Sequence, residues 1–260
     1  MRSLDPRHLV LSLLLSLCLL PAHAHAQSAA LSDSAMLLVY EGSTVVAREE
    51  FQYAHEGDSL LVTATHSRTL LDEKGRRVPF EKHLLLVVDA RDLGLRRYLS
   101  NQKFAGVDVV RGVLPEDTIF TYYSERDGGG DALRMTQPPG RLFVLDSGLF
   151  TLFDVLTRSV AGKTFATRRV QMIVLGADTV TTPVATLVRG ADDTLRVGRR
   201  STRVLHRYTF EEGATRFELA ADDQGRLQKL THAESGLRVE RLPDAPTADR
   251  PRREIGRAHV

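Results

Sequence analysis

From Met36 to Leu242 apolar side chains recur at every second position, in short runs closed by turns that carry Gly or Asp. Alternation with this period gives a strand one buried and one wetted face. A chain that repeats it along most of its length can hide those faces only by curling a sheet or stacking two. "REEFQYAHEGDSLLVTATHS" shows the pattern: Phe51 and Tyr53 alternate with polar residues, Glu56-Gly57-Asp58 makes the turn, and Leu60, Val62 and Ala64 resume on one face. "FEKHLLLVVDA" is denser and predicts a strand covered on both faces. "DALRM" and "RLFVL" read as two short strands joined by "TQPPG", and strands continue from "KTFATRRVQMIVL" to "GLRVERL". Glu212-Gly213 and Asp222-Asp223-Gln224-Gly225 mark tight hairpins.

One stretch breaks the period. In "LDSGLFTLFDVLTRSVAGK", residues 145–163, Leu149, Phe150, Leu152, Phe153, Leu156 and Val160 fall at three- and four-residue intervals. Asp146 or Ser147 can cap such a helix, and Gly162 can end it. An apolar helical stripe must be buried, and the only large partner available is a sheet face. The expected fold is therefore mainly β: a curved antiparallel sheet or half-open β-barrel with one amphipathic helix packed on its concave face. Residues 27–242 form a single domain in this reading, with no internal repeat and no linker.

The two ends carry different messages. Arg2 and Arg7 precede an apolar run from Leu9 to Leu20, Pro21 breaks it, and Ala24-His25-Ala26 offers the small residues a signal peptidase needs. The reading is a signal peptide over 1–26, cleavage before Gln27, and a periplasmic or secreted protein with no transmembrane segment after cleavage. The apolar run is shorter than the ~20 residues that span a bilayer. Cys18 is the sole cysteine of the 260 residues and lies in the leader, so the exported chain must fold without disulfides. Leu17 before it does not fit a lipidation site. Residues 243–260 are rich in Pro and charge and predict a disordered tail. The final "EIGRAHV" matches the translation of a sequencing adapter and is expected to be an artefact.

Charge and motifs exclude more than they assign. The net charge of +2 and the scattered arginines give no basic face for nucleic acid. There is no G-x-S-x-G, no H-E-x-x-H and no cysteine pair for zinc. Gly162-Lys163-Thr164 ends like a phosphate loop, but Thr157 stands where that motif's first glycine belongs. His66, His206 and His232 share strand faces with apolar residues, so they either converge as bases or metal ligands or sit as separately hydrogen-bonded histidines. The second alternative is favoured, because no metal-ligand spacing joins them. Adjacent carboxylates such as Glu49-Glu50 point to opposite faces of a strand and argue little for acid–base chemistry.

Tyr40, Gly42 and Glu49 within "LVYEGSTVVAREEFQY", the central helix, and the late "DDQGRLQKL" and "SGLRVER" segments resemble secreted bacterial proteins of unknown function related to the LolA-type lipoprotein-carrier superfamily. That resemblance implies a half-open β-barrel whose mouth is plugged by helix, a cavity for acyl chains, and no catalytic residue. This chain shows one helix where the carriers' lid uses more. The expectation drawn from pattern and resemblance together is an exported, non-enzymatic binder or carrier of an apolar, lipid-like ligand. Leu149, Phe150, Phe153, Leu156, Tyr208 and Phe210 would line its site, with no metal and no cofactor. The alternative is a non-catalytic envelope scaffold or protein-interaction module that pairs another envelope protein through exposed strand edges. A hydrolase built on the three histidines is the least favoured reading.

Overall fold

The structure, a computed structural model, describes residues 30–176, 179–197 and 201–242. The leader read over 1–26 and the tail read over 243–260 lie outside the described residues. Eight strands come first: β1 (Ala30–Glu41), β2 (Thr44–Glu56), β3 (Ser59–Leu71), β4 (Arg77–Asp89), β5 (Leu95–Phe104), β6 (Val107–Glu116), β7 (Ile119–Arg126) and β8 (Gly129–Thr136). Then come β9 (Leu142–Asp146) and the helix α1 (Thr151–Val160). The remainder is β10 (Thr167–Leu175), β11 (Val180–Thr181), β12 (Val184–Arg189), β13 (Asp193–Val197), β14 (Ser201–Glu212), β15 (Thr215–Ala221), β16 (Leu227–His232) and β17 (Leu237–Arg241).

The first eight strands form an antiparallel meander, each joined to the next by a turn. Beyond β1 the sheet continues through β17, β16, β15, β14, β12 and β10 to β9. It curls until β9 lies against β5, where no ladder joins them among the described pairings. β6, β7 and β8 run on past this seam, so the curl is large, curved and not closed. This is the mainly β architecture the alternation predicts.

One pair departs from the expected antiparallel order: β9 and β10 run parallel, Leu142 opposite Gln171 through Asp146 opposite Leu175. Neighbouring parallel strands cannot be joined by a hairpin; they need a crossover, usually a helix. α1 is that crossover, which is why a chain of strands contains a helix at this point. The pairing also corrects the reading of "TQPPG" as a link between strand neighbours. β8 pairs with β7 and β9 with β10, at opposite ends of the sheet order.

α1 is shorter than the 145–163 window and more deeply placed than an amphipathic surface helix. Every residue from Thr151 to Val160 is buried except Arg158, which is half-buried. Ten residues with several β-branched side chains would not hold a helix in water, so α1 depends on the sheet around it. Phe153 packs edge-on to Phe210 and Phe217, at centroid distances of 5.4 and 5.0 Å. Large apolar side chains buried like this stabilise by about 1.5–3 kcal/mol each. A second correction concerns β4. Its inward Leu84, Leu86 and Val88 are buried, whereas Leu85 and Val87 are only half-covered, so one face of this strand is in the core.

The β15–β16 turn touches the helix directly. Gly225 has φ +75°, and a Cβ there would stand 2.6 Å from Arg158 Cα and 2.8 Å from Thr157 O. Thr157 Oγ1 donates to the Gly225 carbonyl at 2.7 Å. Gly213, in the preceding hairpin, has φ +56° and open space around it. Gly213→Ala should therefore cost only the left-handed backbone penalty of about 1–2 kcal/mol, and Gly225→Ala should cost clearly more in urea unfolding. Equal losses would mean that the turn does not press on the helix.

Candidate functional site

Three adjacent strands place an ionisable residue on the core face at the same level. Glu49 on β2 stands opposite His66 on β3, and His66 stands opposite Lys82 on β4. Each is in phase with buried apolar neighbours: Ala47 and Phe51, Val62 and Ala64, Phe80 and Leu84. All three are at most 2 % exposed. The β9–α1 corner lies over this row. Glu49 accepts the Phe150 N–H at 2.9 Å, the Thr151 N–H at 2.6 Å and the Thr151 hydroxyl at 2.5 Å. His66 Nδ1 lies 3.3 Å from Glu49 Oε2. Lys82 Nζ donates to Asp146 Oδ1 at 2.5 Å and to the Ser147 carbonyl at 3.1 Å.

Asp146 is the second hub. Its carboxylate also accepts from the Tyr98 hydroxyl and from Ser100 Oγ, and Arg111 Nη1 lies 3.8 Å away. Burial pushes the Lys82 ammonium below its ordinary value, against the pull of Asp146. Burial and Asp146 together hold the Tyr98 phenol well above its own. Asp154, inside α1, is the third hub. It accepts from Tyr53 at 2.7 Å, from the Leu227 N–H at 2.8 Å, from Arg158 Nε at 2.6 Å and from Arg241 Nη1 at 3.1 Å. Arg158 and Arg241 also reach Asp33 on β1.

Asp146 and Ser147, the expected caps, do not cap α1. Asp146 faces β4 and β5, and the cap is Glu49, a hundred residues away in sequence. The clusters are sealed by packing, so they tie the helix to the sheet and offer no surface to a substrate. His206 lies on the rim between Asp192 and Asp223, at 3.0 Å from each. His232 bonds Ser235. The three histidines thus sit in separate neighbourhoods, and no described group of His, Cys, Asp or Glu is arranged to hold a metal.

Leu149, Phe150, Phe153, Leu156, Tyr208 and Phe210 all belong to one buried core, none more than 8 % exposed. The apolar space at the β5–β9 seam, bounded by Leu86, Val88, Leu142, Phe143, Leu152 and Val155, has a volume of about 10 Å³. That is barely the room one water needs. A larger cleft of about 330 Å³ lies outside the core, between the β4–β5 turn and the segment before β9. Among the described residues no helix is long and apolar enough to cross a membrane.

No family model and no curated protein matches this chain. Among solved structures, it is similar to a β-barrel-like protein of the domain of unknown function DUF1849 from Brucella abortus. The TM-score is 0.53 at 9 % identity, over 82 % of this chain and 98 % of that one. The likeness is one of fold. A DUF1089 family protein from Pseudomonas aeruginosa superposes at a TM-score of 0.42 and 15 % identity, over 72 % of this chain and 89 % of that one.

Two measurements check the electrostatics. Glu49→Ala strands two buried N–H groups and removes the partner of His66, and should cost about 3–5 kcal/mol in urea unfolding. Its exposed neighbour is the control: Glu50→Ala should stay within about 0.5 kcal/mol of wild type. At the rim, hydrogen bonds from Arg96 bring the Asp58 carboxyl from 3.8 down to about 2. A carboxyl lowered on folding adds stability that is complete above about pH 4 and is lost as pH falls through about 2. In Arg96→Gln the Asp58 midpoint, followed by NMR, should move up toward 3.8; an unmoved midpoint would contradict the pairing.

Proposed function

We propose that this protein is an exported, non-catalytic interaction module whose sheet is extended by an edge strand from another envelope protein. One observation carries the reading: the interior is filled, while an apolar row of the core face runs out unfinished at the sheet edge. Tyr98, Val113, Tyr122 and Leu133 are successive cross-strand partners on β5 to β8. Tyr98 and Val113 are buried, Tyr122 is half-buried and Leu133 is 50 % exposed. β8 pairs only with β7 among the described residues. Nearly all of its side chains face solvent. An added strand would satisfy its outer N–H and C=O groups and cover Leu133, which is how sheet edges recruit partners.

The hairpin is well anchored for that role. The Tyr123 ring covers Gly112 on the neighbouring strand, so closely that a Cβ at Gly112 would sit 1.9 Å from it. Gly129, Gly130, Asp131 and Arg134 limit indiscriminate edge pairing, because glycine and charge weaken a β template. Carriage of an apolar ligand, which the LolA-type resemblance implies, would require the core residues beside α1 to part.

Two experiments decide between the readings. Native mass spectrometry of protein extracted mildly from the envelope should give the bare chain mass; a stoichiometric lipid adduct would favour the carrier. A photo-crosslinking residue at Ala132 should capture one defined partner in cells, and Arg134→Pro, which removes an N–H that faces away from β7, should abolish that capture with little change in melting temperature. Capture that survives the proline would place the contact elsewhere.

A further inference from the structure

The cleft at the open end of the β5–β9 seam has a chemistry that the edge-strand reading does not use. Asp89, Asp92 and Arg96 form one wall, Gln137 and Arg141 the other, and Leu95 and Leu142 the floor. The same two leucines border the small apolar space that runs toward Leu152 and Val155. A polar mouth thus narrows into an apolar crease between β5 and β9.

The carboxylates of the first wall are already supplied with donors. Asp89 accepts from Arg96 Nη2 at 2.6 Å and from the Arg91 N–H at 2.8 Å. Asp92 accepts from the Gly94 N–H at 2.8 Å, and its other oxygen lies 3.1 Å from Arg141 Nη2. The second wall is left incomplete. Arg141 Nε and Nη1 and Gln137 Oε1 are buried and have no hydrogen-bond partner. Buried polar atoms without partners are rare and costly, and an unfilled ligand position is one reason they persist. Cations gather on the same side. Lys163 is held below its ordinary value by burial and then by Arg141 and Arg168, with only Asp92 pulling the other way.

We propose that this cleft binds an anionic group, a carboxylate or a phosphate, on the unpaired N–H groups of Arg141, with Gln137 Oε1 accepting from a hydroxyl of the same ligand, both half-buried side chains turning from the wall into the cleft as it binds. The anion is either a free small molecule or the head of a short single-chain amphiphile whose chain lies in the cleft itself, along Leu95 and Leu142. The site stands independently of the proposed partner strand at β8.

Inorganic phosphate, acetate and octanoate, titrated separately into the full-length protein and followed by calorimetry and amide NMR, test this. At least one should bind saturably and shift the Gly94, Gln137 and Arg141 amides. Arg141→Gln should weaken that binding by about tenfold, the loss of one charge-assisted hydrogen bond, and Gln137→Glu should weaken it by a similar factor because it sets a second negative charge beside the anion. Arg216→Gln, at an exposed position on β15, should leave it unchanged. Octanoate binding more tightly than acetate and phosphate assigns the site to an amphiphile head; phosphate or acetate binding at least as tightly assigns it to a free anion. No saturable binding of any of the three, or equal binding in wild type and both cleft variants, overturns the proposal. Gln137→Glu keeps the test decisive if Arg141→Gln fails to fold.

Discussion

The structure depends on a row of ionisable side chains carried where a sheet would ordinarily bury only hydrocarbon. Glu49, His66 and Lys82 cross three strands side by side on the core face. Isolated, each would carry a desolvation cost of several kcal/mol. The β9–α1 corner offsets it by bringing two backbone N–H groups and the Thr151 hydroxyl to Glu49, and Asp146 to Lys82. The arrangement is reciprocal. The helix start needs an acceptor for donors that no earlier turn can satisfy, and the buried carboxyl group needs hydrogen-bond partners in the core.

That reciprocity fixes the register of the whole curl. A helix inside a sheet could rotate or slide if apolar packing alone held it, because hydrophobic contact is non-directional. Asp154 removes that freedom from the other side, gathering donors from β2, β16, β17 and its own helix. With the start of the helix tied through Glu49 to β2 and its first turn tied through Asp154 to β2, β16 and β17, aromatic and aliphatic side chains fill the space around it. The fold that could have been a cup is a packed core with a helical pin.

Much of this architecture was legible in the sequence. Phe51 and Tyr53 against Leu60, Val62 and Ala64 predict the β2–β3 hairpin because alternation and turn chemistry agree locally. The helix was legible for the same reason, although Leu145 and Asp146 prove to be strand. What failed was non-local. The "TQPPG" segment looks like a link between neighbours, because a turn signal does not say how far apart its flanking strands will lie. The buried ion row escaped because an ionisable residue in phase with a core face has meaning only when the facing strand's register is known. Glu49 in step with Ala47 and Phe51, and Lys82 in step with Phe80 and Leu84, were the visible signals. Nothing local could pair Glu49 with a residue 102 positions away or Lys82 with one 64 positions away.

The amide hydrogen exchange of Phe150 and Thr151 tests the central claim most directly. The first N–H groups of a helix ordinarily open by local fraying and exchange fast. If Glu49 pins this corner inside the core, both amides will exchange only through global unfolding, with the protection of the β2 and β3 strand centres. Exchange by local opening, orders of magnitude faster than those strands, would show that the corner is loose and that the buried ionisable row does not hold the fold.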